Sequence, residues 1–366
     1  MAPFDAALVA SALAIMAPLL LAATGELISE ITGVVNLGLE GMMLTGAFTS
    51  FLAAHYSGSA ALGIVAGAGG GIACGVVMAL LAIEARVDQI LVGIGIGLLA
   101  AGATSFLNAD LFHGQSPQTA SMLSNVRLPV VAGLGGIGRA MFDQNLGVYA
   151  GFIVLGVAAV VLHRTGWGIS LRAVGENPAS ADAAGVSVRR VRWAGVLLAA
   201  TLAGAAGAQL VIGQVGVFTD GMSAGRGYLA LAAVLFGRWR PAGVLAACAL
   251  FAFMDALQLR LQGLASVPSV VWIVAALAIF LVVAVSAWSS MRRRWPIRKA
   301  LIRGTTVTIV IGLLLAAGAT HMRITVPASL WLISPFLLAI IALAVAGERR
   351  TAMPSKLAIP FIRGQD

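Results

Sequence analysis

An all-α, polytopic transmembrane helical bundle with inverted internal repeats and broken, glycine-rich helices is the fold class this sequence predicts. Three observations carry it. Hydrophobic residues make up 60% of the 366 residues and charged residues 10%, with a mean hydropathy of +0.99; a soluble domain carries about 25% charged residues. Apolar runs long enough to cross about 30 Å of hydrocarbon recur along the chain. Two glycine-rich segments far apart in sequence, VVNLGLEGMMLTGAF (Val34–Phe48) and GMSAGRGYLALAAVLFG (Gly221–Gly237), resemble one another.

Lipid offers backbone groups no hydrogen bonds, so a spanning segment must satisfy its own. No ten-residue alternation of the kind a barrel strand needs is present, which leaves helices. The predicted spans are 6–24, 36–55, 60–83, 89–107, 146–163, 191–215, 221–237, 241–257, 268–289, 305–320 and 328–346. Span 36–55 is also readable as a re-entrant element. No basic residue precedes the first apolar run, which argues against a cleaved signal peptide. Cys74 and Cys248 fall inside apolar spans and read as small packing residues. Gly63, Gly67, Gly71 and Gly75 place a glycine every fourth residue on one helix face, a pattern that lets helix backbones approach closely.

The net charge of +9 would suit nucleic acid, but the basic residues sit in short loops between apolar spans. That placement follows the positive-inside bias and implies no nucleic-acid partner. With loop 164–192 cytoplasmic, the loops at Arg238–Arg240, Arg292–Arg303 and Arg349–Arg363 also fall inside, as their arginines require. The long connection Asn108–Asp143, poor in basic residues, then falls outside, with the N-terminus. The expected location is the cell (inner) membrane, crossed many times.

The two similar segments each carry a glycine–charge–glycine knot before an apolar run. Aligning Gly41 with Gly227 sets Glu40 opposite Arg226. The topology sends the segments across the membrane in opposite directions, the mark of inverted repeats whose broken helices surround a transport path. Chance similarity of two glycine-rich membrane segments is the plainer alternative.

Loop 164–192 is the long polar segment between apolar spans. Five arginines there (Arg164, Arg172, Arg189, Arg190, Arg192) accompany Glu176 and Asp182. Asn177-Pro178 and Gly185 bracket a seven-residue helix. Asn177 suits the N-cap, Pro178 the first helical position, and Gly185 the left-handed stop. A short capped helix on a cytoplasmic face is a natural plug for a soluble partner.

Catalytic equipment is sparse. The four histidines are widely separated, with no metal-ligand spacing. Gly133–Gly138 (GLGGIG) matches a dinucleotide fingerprint in letters only, without a βαβ unit around it. The two lysines, Lys299 and Lys356, follow no glycine-rich turn, so the chain lacks a P-loop for ATP. No cofactor and no metal is expected. What remains are polar residues in or beside the spans: Asn36, Glu40, Thr45, Gln209, Gln214, Asp220, Arg226, Asp255 and Gln258. Such groups are expensive in lipid and face a cavity or a partner helix. Asn36, Glu40, Gln214, Arg226 and Asp255 are the candidates for a translocation path. A helix-end contact or ion pair accounts equally well for Glu40 and Arg226, and pairing with Arg260 or another buried donor for Asp255.

These features resemble a permease subunit of a bacterial ABC importer, in the group handling branched-chain amino acids, simple sugars and nucleosides. The resemblance is closest to the nucleoside-type permeases that work with a basic-membrane-protein-like lipoprotein. Three segments carry it: Gly25–Phe48, Gly166–Trp193 and Gly221–Pro241, about a fifth of the chain. The resemblance implies a transport subunit and not an enzyme, joined by a separate ATPase subunit, a second identical or related permease chain and an extracytoplasmic substrate-binding lipoprotein. It also implies a small-molecule substrate moved by alternating access, in a setting of membrane lipid. The ATPase would dock on Pro178–Ala184, with Arg172, Glu176, Asn177, Pro178, Asp182, Gly185 and Arg189 as coupling residues. Residues 1–290 then form the permease domain. Residues 291–366 depart from the pattern: a basic linker (Arg292–Lys299), two more predicted spans and a cytoplasmic tail. An ATPase-independent secondary carrier is the main alternative class; simple sugars or branched-chain amino acids are the alternative cargoes.

Overall fold

The computed structural model describes residues 6–112, 118–127, 138, 141–262 and 353–361. The chain divides into two compact units. One comprises Met1–Leu8 and Leu257–Ser334, of which the described residues are helical; the other comprises Val9–Ala256 and Pro335–Asp366. Apart from the first residues of the first helix and the last of the final one, everything below concerns the second.

The elements in order are α1 (Ala6–Ile31), α2 (Leu39–Ser57), α3 (Ala60–Ala79), α4 (Gln89–Leu111), β1 (Asn125–Arg127), β2 (Asp143–Asn145), α5 (Leu146–Arg164), α6 (Gly166–Glu176), α7 (Pro178–Ala183), α8 (Val188–Leu210), α9 (Arg226–Gly237) and α10 (Pro241–Gln262). Helix α3 runs on through a π turn at Leu80–Glu84, and α8 through another at Val211–Val215. The two short strands pair antiparallel, Val126 opposite Gln144, between α4 and α5. Helix starts are written locally. The side chains of Ser59, Asp88, Asn145, Thr165 and Asn177 each accept from an amide of the following first turn, satisfying donors that a helix start leaves open.

Six helices among the described residues are long and apolar enough to cross a membrane: Ala6–Ile31, Ala60–Glu84, Gln89–Leu111, Leu146–Arg164, Val188–Val215 and Pro241–Arg260. The protein is an all-α, multi-pass membrane bundle. Helix α2 is not one of the six, because Glu40, Thr45, Thr49, Ser50 and His55 dilute its apolar content. It is nevertheless lodged in the bundle, with Leu39, Met42, Met43, Leu44, Ala47, Phe48, Phe51 and Ala54 buried.

Glycines decide how α2, α3 and α8 meet. A Cβ on Gly67 would lie 2.8 Å from Ala208 Cβ and 2.9 Å from Gly46 O; one on Gly204 would lie 2.9 Å from Gly71 Cα. Gly63 and Gly75 face Ala54 and Ala200 in the same way. The every-fourth-residue glycine face of α3 is thus packed against two helices at once. Backbones that close gain dispersion contact, which drives helix association where lipid removes the hydrophobic difference.

The expected span 221–237 is corrected: its helix covers only Arg226–Gly237, roughly 18 Å at 1.5 Å per residue and too short to cross. Gly221, Ala224 and Gly225 all have positive φ, so the chain turns through this stretch before the helix begins. The polar loop 164–192 is corrected too. It holds two helices, α6 and α7, and α7 closes at Ala183, one residue short of the expectation. Predicted spans 268–289, 305–320 and 328–346 and the basic linker lie outside the described residues.

Helices α2 and α9 run in opposite directions. Helix α2 starts just past the end of α1 and finishes where His55 meets Thr119 and Phe112. Helix α9 starts beside Asp220, which accepts from Asn108 at the far end of α4, and finishes where Trp239 reaches Glu30 at the end of α1. The repeat segments therefore enter the bundle from opposite ends.

Candidate functional site

The two broken helices meet at their N-termini. Glu40, in the first turn of α2, accepts from the Gly225 amide through Oε1 (2.8 Å) and from the Gly227 amide through Oε2 (2.7 Å). Those amides are open donors at the start of α9, where the helix dipole favours a carboxylate. A cavity of about 250 Å³ lies against this junction, with Glu40, Leu44, Ile94, Leu98, Ser223 and Tyr228 in its wall. It is an open hollow, with Leu98 and Tyr228 in its wall both exposed, and its volume falls just below the roughly 300–1,000 Å³ of drug-sized sites.

The five path candidates do not converge. Glu40 alone among them lines the cavity. Arg226 turns from it, holding Asp255 at 3.4 Å and the carbonyl oxygens of Met222 and Ser223. Glu40 and Arg226 are equivalent in the repeat alignment but are not partners, and the donor facing Asp255 is Arg226. Asn36 is fully buried, its amide donating to Glu26 Oε1 (2.9 Å) and its Nδ2 to Met42 Sδ (3.3 Å). Gln214 donates to Ala14 O on α1 (2.8 Å). Gln209 donates to Asn145 Oδ1 (2.8 Å), while Asn145 Nδ2 bonds Gly213 O in the π turn, a carbonyl outside the α-helical pattern.

Sequence reasoning missed Tyr228 and Ser223 in the cavity wall. One signal was available: Tyr228, one of three tyrosines in the chain, directly follows the glycine–arginine–glycine knot. It also missed Glu26 and Glu30, buried one turn apart on α1. Glu30 accepts from Trp239 Nε1, tying α1 to the chain just after α9.

The second candidate surface is the α6–α7 hairpin. Asn177 Oδ1 accepts from Ser180 N (3.0 Å), Pro178 opens α7 with its ring buried, and Gly185 closes it at φ +86°, its amide donating to Asp182 O (2.9 Å). Arg172, Glu176, Asn177, Gly185 and Arg189 are exposed, and Asp182 is half-buried. Arg189, Glu176 and Arg172 are engaged within the chain. Arg189 and Trp193 Nε1 both donate to Glu84, which the π turn at the end of α3 presents. Glu176 Oε2 accepts from Ser355 Oγ at 2.7 Å. Arg172 bonds the carbonyl of Gly168 one turn back. No group of three His, Cys, Asp or Glu side chains that could hold a metal occurs among the described residues.

Residues 8–286 match the protein family described as the branched-chain amino acid transport system permease component. The chain belongs to this permease family. The permease is 38% identical over 250 residues to a protein of Haloferax volcanii provisionally named a glucose ABC transporter permease, covering 67% of this chain and 75% of that one. It is 34% identical over 263 residues to the guanosine ABC transporter permease protein of Bacillus subtilis (69% and 82% covered). It is 33% identical over 272 residues to the nucleoside ABC transporter permease protein of Lactococcus lactis subsp. cremoris (72% and 86% covered). No solved structure matches the permease. The family match and the six apolar helices make it a multi-pass cell-membrane transport component.

Proposed function

We propose that this permease moves nucleosides, or closely related small polar solutes, into the cell as the membrane subunit of an ABC importer. The observation that carries the cargo is the cavity at the α2–α9 junction. Its wall is mostly apolar, with Leu44, Ile94 and Leu98, and adds one aromatic ring, Tyr228. A nucleobase offers a planar face for such a ring, and base–aromatic stacking contributes about 1–3 kcal/mol. Glu40 and Ser223 supply polar groups at one side, enough for a ribose edge. Glucose, with a hydroxyl on nearly every carbon, would leave several unpaired against such a wall. Two named relatives handle guanosine or nucleosides; the glucose-named relative keeps a simple sugar as the second reading.

The same proposal assigns the work. ATP hydrolysis belongs to a separate subunit that docks on α6–α7 at the cytoplasmic face. A lipoprotein delivers solute at the opposite face, and a second permease chain, identical or related, completes the transporter. Opposed broken helices joined at their N-termini suit alternating access, because rocking one repeat opens the junction to either side.

The test is uptake of labelled uridine, adenosine, ribose, glucose and leucine in cells with and without the gene, repeated with ATP depleted and the proton gradient held. Gene-dependent nucleoside uptake that stops without ATP is expected. Uptake that survives ATP depletion would replace the importer with a secondary carrier, and uptake of sugar or leucine alone would change the cargo.

A further inference from the structure

The segment Met353–Phe361 returns from the part of the chain beyond the family match and lies across the α6–α7 surface. Its backbone bonds two different elements. Lys356 N donates to Gly175 O near the end of α6, and Ala358 N donates to Gly33 O just past α1, each at 3.0 Å. Ser355 Oγ and N both donate to Glu176 Oε2 (2.7 and 3.3 Å), one residue before the cap of α7. Arg192 Nη1, on the second turn of α8, donates to Ile359 O at 3.0 Å. Pro354 is buried, and Phe361 packs against the main core.

These bonds cross a seam whose two sides also share the buried core through Ile31, Leu171 and Val174. Gly33 and Gly175 bring the end of α1 and the end of α6 into backbone contact; a Cβ on Gly175 would lie 3.4 Å from Gly33 N. Two glycines let the backbones touch but contribute no side-chain bond across the gap, and the tail supplies the bonds. We propose that Met353–Phe361 is a brace within the surface that meets the ATPase subunit, locking α6–α7 to the end of α1 so that a push on α7 moves α1 with it. The inference rests on reading α6–α7 as the coupling surface. A brace fits better than a releasable plug because of Arg192. Its side chain is 3% exposed, and Ile359 O is the acceptor the structure gives it. Detaching the tail would take that acceptor from a buried cation, a costly loss.

The test uses the full chain in its native cells, with uptake of whichever labelled solute the wild type carries and membrane abundance measured alongside. Ala358 has φ +62°, which proline cannot adopt, and proline also removes the amide that bonds Gly33. Ala358→Pro is expected to cut uptake by roughly tenfold, within the range of ordinary coupling between sites, at unchanged abundance. Ala358→Gly, which keeps both conformation and amide, is expected to transport normally. Ser355→Cys combined with Glu176→Cys gives a bridge that oxidation closes, with the single-cysteine variants as controls for Cys74 and Cys248. Because a brace stays in place through the cycle, the oxidised chain is expected to transport as well as the reduced one. Loss of uptake on oxidation, restored by reductant, would make the segment a gate and overturn the brace. Normal uptake in Ala358→Pro would overturn it as well, and decides the matter if the reduced double variant is itself inactive. Gly185→Pro, run in parallel, separates the two readings: if it transports normally, the coupling assignment of α7 fails whatever the tail does.

Discussion

Glu40 Oε2 accepts the Gly227 amide at 2.7 Å, and the same pair touches through its backbone: a Cβ on Gly227 would lie 2.5 Å from Glu40 N and 2.6 Å from its Cα. The carboxylate and the missing side chain are two halves of one joint between opposed helices. Gly227→Ala must push α2 and α9 apart, because the obstructing atoms are backbone. Overpacking of this kind costs about 1–3 kcal/mol. We expect a midpoint of thermal unfolding in detergent lower by several degrees, with uptake lost. Glu40→Gln keeps an acceptor for one amide and gives up charge assistance, so it should be milder than Glu40→Ala.

The glycine seam makes a contrast within one helix. Gly69→Ala on α3 meets nothing within 4 Å, whereas a Cβ on Gly71 would lie 2.8 Å from Gly204 Cα. Gly69→Ala should leave abundance and thermal stability unchanged or slightly raised, as the helix gains up to about 1 kcal/mol. Gly71→Ala should lower both. Equal behaviour of the two variants in membrane immunoblots and melting curves would refute the packing described for α2, α3 and α8.

Arg226 and Asp255 are each about one-fifth exposed and sit 3.4 Å apart. Removing one leaves the other partly buried without its counter-charge, while removing both removes the problem. Arg226→Met and Asp255→Leu combined should destabilise less than the sum of the two single variants, with a coupling near ~1 kcal/mol in a double-mutant cycle of thermal or chemical unfolding. Additive effects would show the pair to be energetically idle.

Asn177→Ala removes the cap of α7, a loss of about 1 kcal/mol on a six-residue helix with little to spare. Uptake should fall with abundance unchanged, while Asn177→Asp, which caps as well, should transport normally. An Asn177→Ala protein with wild-type uptake would argue against α7 as the coupling element.

Tyr228→Ala should raise the apparent KM for nucleosides by roughly 5- to 150-fold, the range that matches 1–3 kcal/mol of stacking. Tyr228→Phe should change it little, because the ring carries the contact. An unchanged KM in Tyr228→Ala would remove the ring from the substrate's path.

Much of the α6–α7 hairpin was legible because its signals are local. Asn177, Pro178 and Gly185 mark a cap, a first turn and a left-handed stop within nine residues, and the structure has each where the chain chemistry puts it. The path was harder. Asn36, Glu40, Gln214, Arg226 and Asp255 share the property of being polar inside apolar surroundings, and all five bond within the chain, to a backbone group, a carboxylate, a sulfur or each other. Polarity in a membrane span says that a partner exists, not whether the partner is a neighbouring helix or a solute. Ser223 was missed for the converse reason, since a serine is not unusual in its own segment, and Tyr228 because an aromatic ring in an apolar helix reads as packing.

From composition, apolar run length, glycine spacing and capping residues, the chain by itself determined that it is a helical membrane bundle, which α3 face packs, and where α7 begins. These depend on hydration, helix period and capping, all read within a few turns of sequence. Only the tertiary structure decided that Glu40 caps α9, that Arg226 takes Asp255, and that the tail from Met353 to Phe361 lies on Gly33, Gly175 and Glu176. Each of those joins residues 29 to 325 positions apart, and sequence-local rules carry no information about which open donor a distant acceptor will find. That is settled when the helices pack and every buried polar group must take a partner within reach.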